Sequence, residues 1–217
     1  MDSPTAAALD HLNALLPLAE RQAQLSPAER AAHQAILHAF AGRGRPPLRA
    51  ELAAAAEVLA RLSAADLVVL DPAGEIAGAY PFTLEATPHV VALDGHAVHA
   101  MCAVDALAIG AMFNTAAAIT SACAATGAAV RVAQRGRTLL AAQPADLRVG
   151  IHWQPPGGCA AHSLCREMPF LRGAAAAEAW RAQAPAERET LTLGQALDLA
   201  AAFFAPLVQP APAGPRA

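Results

Sequence analysis

An α+β fold is predicted for this 217-residue chain. A winged-helix-like helical domain stands at the N-terminus, and a mixed domain of short antiparallel strands and helices follows. Three observations predict this. The first third carries apolar residues at helical spacing with explicit start and stop signals. The middle alternates short β-prone runs with the turn pairs Asp94-Gly95, Thr126-Gly127 and Arg135-Gly136. The end returns to helical spacing over Leu193 to Phe203. The expected boundaries are 1–80 for the N-terminal domain and 81–208 for the second, with 209–217 a disordered tail rich in Pro and Ala.

Residues 8–24 read as a first helix. Ser26-Pro27-Ala28-Glu29 starts a second, with Ser as N-cap, Pro at N1 and Glu at N3. It is expected to run to about Phe40 and to stop in Gly42-Arg-Gly-Arg-Pro-Pro47. A third helix follows over Leu48–Ala55 and a fourth over roughly Ala56–Leu62. Leu67–Leu70, the turn Asp71-Pro-Ala-Gly74 and Ile76–Tyr80 then form a two-stranded ribbon, and helices followed by a ribbon are the layout of a winged helix. Beyond it, His89–Leu93 suits a strand and the Asp94-Gly95 turn leads into a helix containing Cys102. Ala118–Cys123, Ala128–Ala133, Thr138–Ala142 and Arg148–Trp153 suit further strands. Pro155-Pro-Gly-Gly158 opens a loop, with Cys165 in or just past it.

Composition narrows the function. The net charge is −3, lysine is absent and arginine supplies every fixed positive charge, which argues against a chain built to neutralise phosphates. Arg43, Arg45 and Arg49 cluster near the helix that would read DNA. That helix, however, reads Ala-Glu-Leu-Ala-Ala-Ala-Ala-Glu, with almost nothing able to reach a base edge. The apolar stretch Ala97–Val130 is interrupted by His99, Asp105 and Asn114, so it is expected as a buried helix running into a strand and not as a membrane span. The N-terminus has no basic segment followed by an apolar one, and the four cysteines are irregularly spaced. Both point to a cytoplasmic protein with reduced thiols.

The chemistry concentrates in His99-Ala-Met-Cys-Ala-Val-Asp-Ala-Leu107. At helical spacing Cys102 and Asp105 share a face, so a soft thiol and a proton-carrying carboxyl converge on one ligand. A carboxyl among Val104, Ala106 and Leu107 needs a partner or a task. Downstream stand Ser121-Ala-Cys-Ala-Ala-Thr-Gly127 and His162-Ser-Leu-Cys165 with Pro169-Phe-Leu171. This ordered set resembles the organomercurial (alkylmercury) lyases.

The resemblance runs from about Tyr80 to the final helix. It implies that Cys102 and Cys165 bind mercury and that Asp105 donates a proton, and Asp105 could also touch the metal. Cys165 fits the second mercury ligand better than Cys159 because Phe170-Leu171 and Trp180 then fall in register. Cys123 matches a structural cysteine. The resemblance further implies cleavage of a carbon–mercury bond to a hydrocarbon and Hg(II), with an organomercurial substrate, cellular thiols, a mercuric reductase as Hg(II) acceptor, and no organic cofactor, nucleic acid or membrane. Met101 stands where the family commonly has Trp, and the Arg that often precedes the second cysteine is missing, with Ala161 near that place.

Two other readings stay open. A soft-metal binding protein for mercury or copper would need the thiols but not Asp105. A metal-responsive winged-helix regulator would need the N-terminal arginines and a dimer. Cys159 and Cys165 with His152 and His162 could form a zinc or copper site, although the cysteines are too far apart in sequence for a zinc knuckle.

Overall fold

The computed structural model describes residues 1–52 and 56–209. The chain opens with three helices, α1 (Ser3–Leu15), α2 (Leu18–Ala23) and α3 (Pro27–Arg43), then a 3-10 turn at Arg49–Glu51 and α4 (Ala56–Ala64). The single helix expected over 8–24 is two. Pro17 disfavours helical geometry at the residue before it, and Leu16 leaves the helical region at φ −139° and ψ 78°. The capping box of α3 is present as expected, Ser26 Oγ accepting from Glu29 N at 3.3 Å while Glu29 accepts from Ser26 N at 2.8 Å. Gly44, left-handed at φ 74°, ends this helix.

The expected helix over Leu48–Ala55 is a 3-10 turn over Arg49–Glu51 only, and its last residues, 53–55, lie outside the described residues. Glu51 turns back to accept from Leu48 N and from Arg45, and Leu52 is already extended. The expected tail lies almost wholly outside the described residues as well.

Strands β1 (Val68–Leu70), β2 (Ile76–Ala79), β3 (Phe82–Thr83), β4 (Val90–Leu93) and β5 (His96–Ala100) precede α5 (Ala103–Met112). After it come β6 (Ala116–Ala122), β7 (Ala129–Arg135) and β8 (Thr138–Gln143). These eight form one antiparallel sheet in the order β1-β2-β3-β5-β4-β6-β7-β8, so the N-terminal ribbon is the end of this sheet. The segment Ala97–Ala100, expected at the start of a helix, is strand: β5 pairs with β4 from Val90↔His99 to Leu93↔His96. The Asp94-Gly95 turn therefore closes a hairpin, and the helix begins only after Cys102.

A second antiparallel sheet, β10-β9-β11, combines β9 (Arg148–His152), β10 (Phe170–Leu171) and β11 (Arg188–Thr192). Helix α6 (Gly173–Arg181) precedes β11, and α7 (Leu193–Phe204) follows it. Cys123 bridges to Phe170, and Ala124 N donates to Phe170 O at 3.0 Å, which stitches the two sheets together.

The core is built around α5, all of whose residues except Ala111 are buried. Alanines and Gly110 give this helix a narrow surface, so it lies close against both the sheet and α7. One buried polar anchor fixes it: Gln134 of β7 donates to Leu107 O at 2.9 Å. Helix α1 packs on α7 from the other side. The N-terminal end of α5 therefore sits at the centre of the molecule. No described helix is long and apolar enough to cross a membrane.

Candidate active site

Cys102 lies one position before the helix it was expected to ride on. It is the N-cap of α5, extended at φ −152°, and its Sγ accepts from Asp105 N at 3.3 Å. A thiol here takes the place usually held by Ser, Thr or Asp. The three-residue spacing still brings Cys102 and Asp105 together, but by capping and not by a shared helical face. An N-terminus is where the helix dipole favours negative charge.

Cys165 comes from the opposite side. Past the Pro-Gly loop the chain forms two 3-10 turns, Ala160–His162 and Leu164–Glu167, and the second carries Cys165 inward. Contacts at both ends hold this segment. Met168 O accepts from Ala103 N at 2.9 Å, tying it to the first turn of α5. At the other end Tyr80 Oη donates to Asp66 Oδ1 at 2.9 Å and accepts from Ala161 N at 2.8 Å, while Arg21 pairs with Asp66 at 3.1 Å. Tyr80 is the only tyrosine in the chain, a signal the sequence reading used only as a boundary. Burial keeps its phenol protonated.

Cys102, Asp105 and Cys165 line one closed cavity of about 10 Å³, walled by Leu12 and Leu16 of α1, Phe203 and Phe204 of α7, Val104 and Met168. All three side chains are buried. Neither carboxyl oxygen of Asp105 has a hydrogen-bond partner among the described residues. Burial pushes its pKa up from 3.8 to about 7, against the opposing pull of the Cys102 and Cys165 thiols beside it. Burial likewise drives the Cys102 thiol well up, and the neighbouring Cys165 and Asp105 add to it. For Cys165 the adjacent Cys102 thiol pulls down, but burial and the negative charge of Asp105 and Asp66 win, leaving it at about 11. The resting site is thus two neutral thiols around a carboxylic acid poised to gain or lose its proton near neutrality.

Two thiols suit a soft, two-coordinate cation, and a carboxylic acid beside them is a chemically competent proton source. Among the described residues no group of three or more His, Cys, Asp or Glu is arranged to hold a metal ion. The zinc or copper alternative finds no support. Both ring nitrogens of His152 are engaged at 3.0 Å, by Glu167 and Glu187, while Cys159 is half-buried beside the Tyr80 hydroxyl at 3.6 Å. Cys123 is buried where the sheets meet, its Sγ accepting from Arg172 N at 3.3 Å. Burial opposes ionisation of Cys123, yet hydrogen bonds from Thr126 and the Arg172 amide hold its pKa below the ordinary thiol value. Sequence reasoning missed Met168, whose Sδ lies 3.9 Å from Cys102 Sγ. A lone methionine just past a 3-10 turn carries no pattern that would have marked it.

Residues 82–205 match the family model described as MerB, alkylmercury lyase. The chain is 30% identical over 132 residues to an alkylmercury lyase of Staphylococcus epidermidis, covering 61% of this chain and 60% of that protein. It is also 30% identical over 115 residues to an alkylmercury lyase of Pseudomonas putida, covering 53% and 54%. The matches thus span about three fifths or less of these curated relatives. A solved structure described as "Crystal structure of the mercury-bound form of MerB2" superposes with a TM-score of 0.73 at 19% identity, over 90% of this chain and 98% of that one.

Proposed function

Because the chain belongs to the alkylmercury lyase family, we propose that it cleaves carbon–mercury bonds by protonolysis, with Cys102 and Cys165 as mercury ligands and Asp105 as proton donor. The observation that carries this reading is Asp105: a buried carboxyl with no hydrogen-bond partner, poised near pH 7 and sharing a closed cavity with two thiols. Structural carboxyls are seldom left in that state, because two neighbouring thiols repay only part of the desolvation.

Atoms and charge balance at each step. An organomercurial reaches the site as a thiolate adduct, R–Hg–SR′. Cys102 sulfur bonds to mercury, the Hg–SR′ bond breaks, and the Cys102 thiol proton leaves on R′SH. Cys165 sulfur then bonds to mercury while its proton passes to the Asp105 carboxylate. A second thiolate pushes electron density toward the carbon, Asp105 delivers the proton there, and the Hg–C bond breaks to release R–H. Hg(II) remains on the two sulfurs and Asp105 is a carboxylate again. High thiol pKa values suit this sequence, since the soft cation displaces a proton that burial otherwise retains. No organic cofactor enters the scheme. Small cellular thiols and a mercuric reductase would take the Hg(II), and the need for reduced thiols fits a cytoplasmic setting.

In this reading residues 1–80 are a winged-helix-like unit without a DNA role and 81–208 the catalytic domain. Arg45, part of the basic cluster a regulator would use, is occupied by Glu51 at 2.9 Å.

The test is conversion of phenylmercury to benzene by the reduced protein in excess small thiol, without nucleotide or flavin. Asp105→Asn should still bind mercury but lose about 10²- to 10⁴-fold in cleavage, the usual cost of removing a general acid. Mercury binding without any benzene from the wild type would leave only a soft-metal binding protein. Wild-type cleavage by Asp105→Asn would remove the proton donor from the scheme.

A further inference from the structure

The cavity holding Cys102, Asp105 and Cys165 has room for about one water. A methyl group is larger, and a phenyl ring far larger, so a wall must move before any organomercurial can meet Cys102. Next to this cavity lies a groove of about 690 Å³, lined by Met101, Met168, His89, Ala161 and Pro169 among others, with Arg166 paired to Glu85 along it. Met168 is the one residue common to both linings. Its thioether receives the Cys102 thiol at 3.9 Å, and the residue also borders the groove.

Met168 can move without the fold moving. Its carbonyl is fixed by Ala103 N, and the next carbonyl, Pro169 O, accepts from Gly150 N at 2.9 Å. The side chain itself is unbranched, with three rotatable bonds and a polarizable sulfur. Leu12 and Leu16 of α1 and Phe203 and Phe204 of α7 are as buried as Met168, but they belong to two helices packed on each other. Opening on that side means lifting a helix and exposing large apolar surface.

We infer that Met168 is the residue that sets which organic groups reach Cys102: its side chain swings aside to admit the mercurial from the groove, and its sulfur is the first soft atom the metal meets. The inference rests on the lyase reading for its substrate class. Its test does not depend on turnover. In an Asp105→Asn background, where cleavage is suppressed, loading of methylmercury and phenylmercury is followed by stopped-flow through mercury–thiolate absorbance in the ultraviolet. Met168→Ala should accelerate phenylmercury about tenfold relative to methylmercury. Met168→Leu keeps the volume, so the preference between the two should persist while both slow by about threefold for want of the sulfur.

An equal acceleration of both mercurials by Met168→Ala would mean a loosened protein, and would overturn the inference. So would size-dependent acceleration by Leu12→Ala with none from Met168→Ala, which would place access beneath α1. Loss of benzene release with this loading pattern intact would refute the lyase reading and leave the gate standing.

Discussion

Asp105→Asn has a consequence for stability as well as for chemistry. The carboxyl is fully buried and its pKa is raised from 3.8 to about 7, so the folded protein holds a proton that the unfolded chain releases between those values. Stability contributed by this side chain is therefore greatest below pH 4 and falls as pH rises, levelling off above pH 7. With about 1.4 kcal/mol for each pH unit of separation, the cost reaches about 4 kcal/mol at pH 8, of which about 3 kcal/mol accrues between pH 5 and pH 8. Asn carries the same shape without the titration. Every other group cancels in the difference between the two proteins, so the variant should gain about 3 kcal/mol on the wild type across that interval. Urea unfolding of reduced, mercury-free protein at pH 5, 6, 7 and 8 measures the gain. A difference that changes by less than about 1 kcal/mol would mean that Asp105 is ionised throughout, and that its burial does not hold a proton near neutrality.

The other expectations are direct. Cys102→Ser and Cys165→Ser should each abolish benzene release, whereas Cys159→Ser, outside the closed cavity, should keep most of it; the reverse result for Cys159 and Cys165 would move the second ligand to Cys159. Wild-type stability should also fall on the acid side, because burial lowers His33 and His89 from 6.5 to about 4. Each costs about 2 kcal/mol at pH 5 as the unfolded chain takes up the proton, and a flat urea midpoint from pH 7 to pH 5 in Asp105→Asn would contradict this. Gly150→Ala should destabilise by about 1–3 kcal/mol, since a Cβ there would stand 2.8 Å from the Trp180 ring. A thermal midpoint equal to the wild type would show that the ring has room to yield.

Two residues of the candidate site were legible in the sequence because they are local: Cys102 and Asp105 are three apart, and any helical start would bring them close, whereas Cys165 came from the family resemblance alone. Their manner of meeting was not legible. The sequence reading put Cys102 inside the helix because Ala97–Ala100 is as apolar as α5 itself, and a short apolar run does not reveal whether it is strand or helix. The Asp94-Gly95 turn was recognised, but its hairpin partner was not. Strands β6 to β9 were readable from alternation and turns, whereas β3 and β10, two residues each, are too short to show alternation. Pro17 marks the break between α1 and α2 in the sequence itself. Tyr80, Asp66 and Met168 act through contacts that span up to about half the chain, and no spacing rule reports those.

The walls of the cavity carry a lesson about inheritance. Descent is recognisable over residues 82–205, yet Leu12 and Leu16 close the site, and Asp66 with Arg21 fastens the segment bearing Cys165. Excised at its recognisable borders, the segment would keep Cys102, Asp105 and Cys165 and lose two of the apolar side chains that bury them. The piece of chain that kinship marks out is smaller than the piece that could be transplanted, and anyone grafting this site must carry the first helix with it.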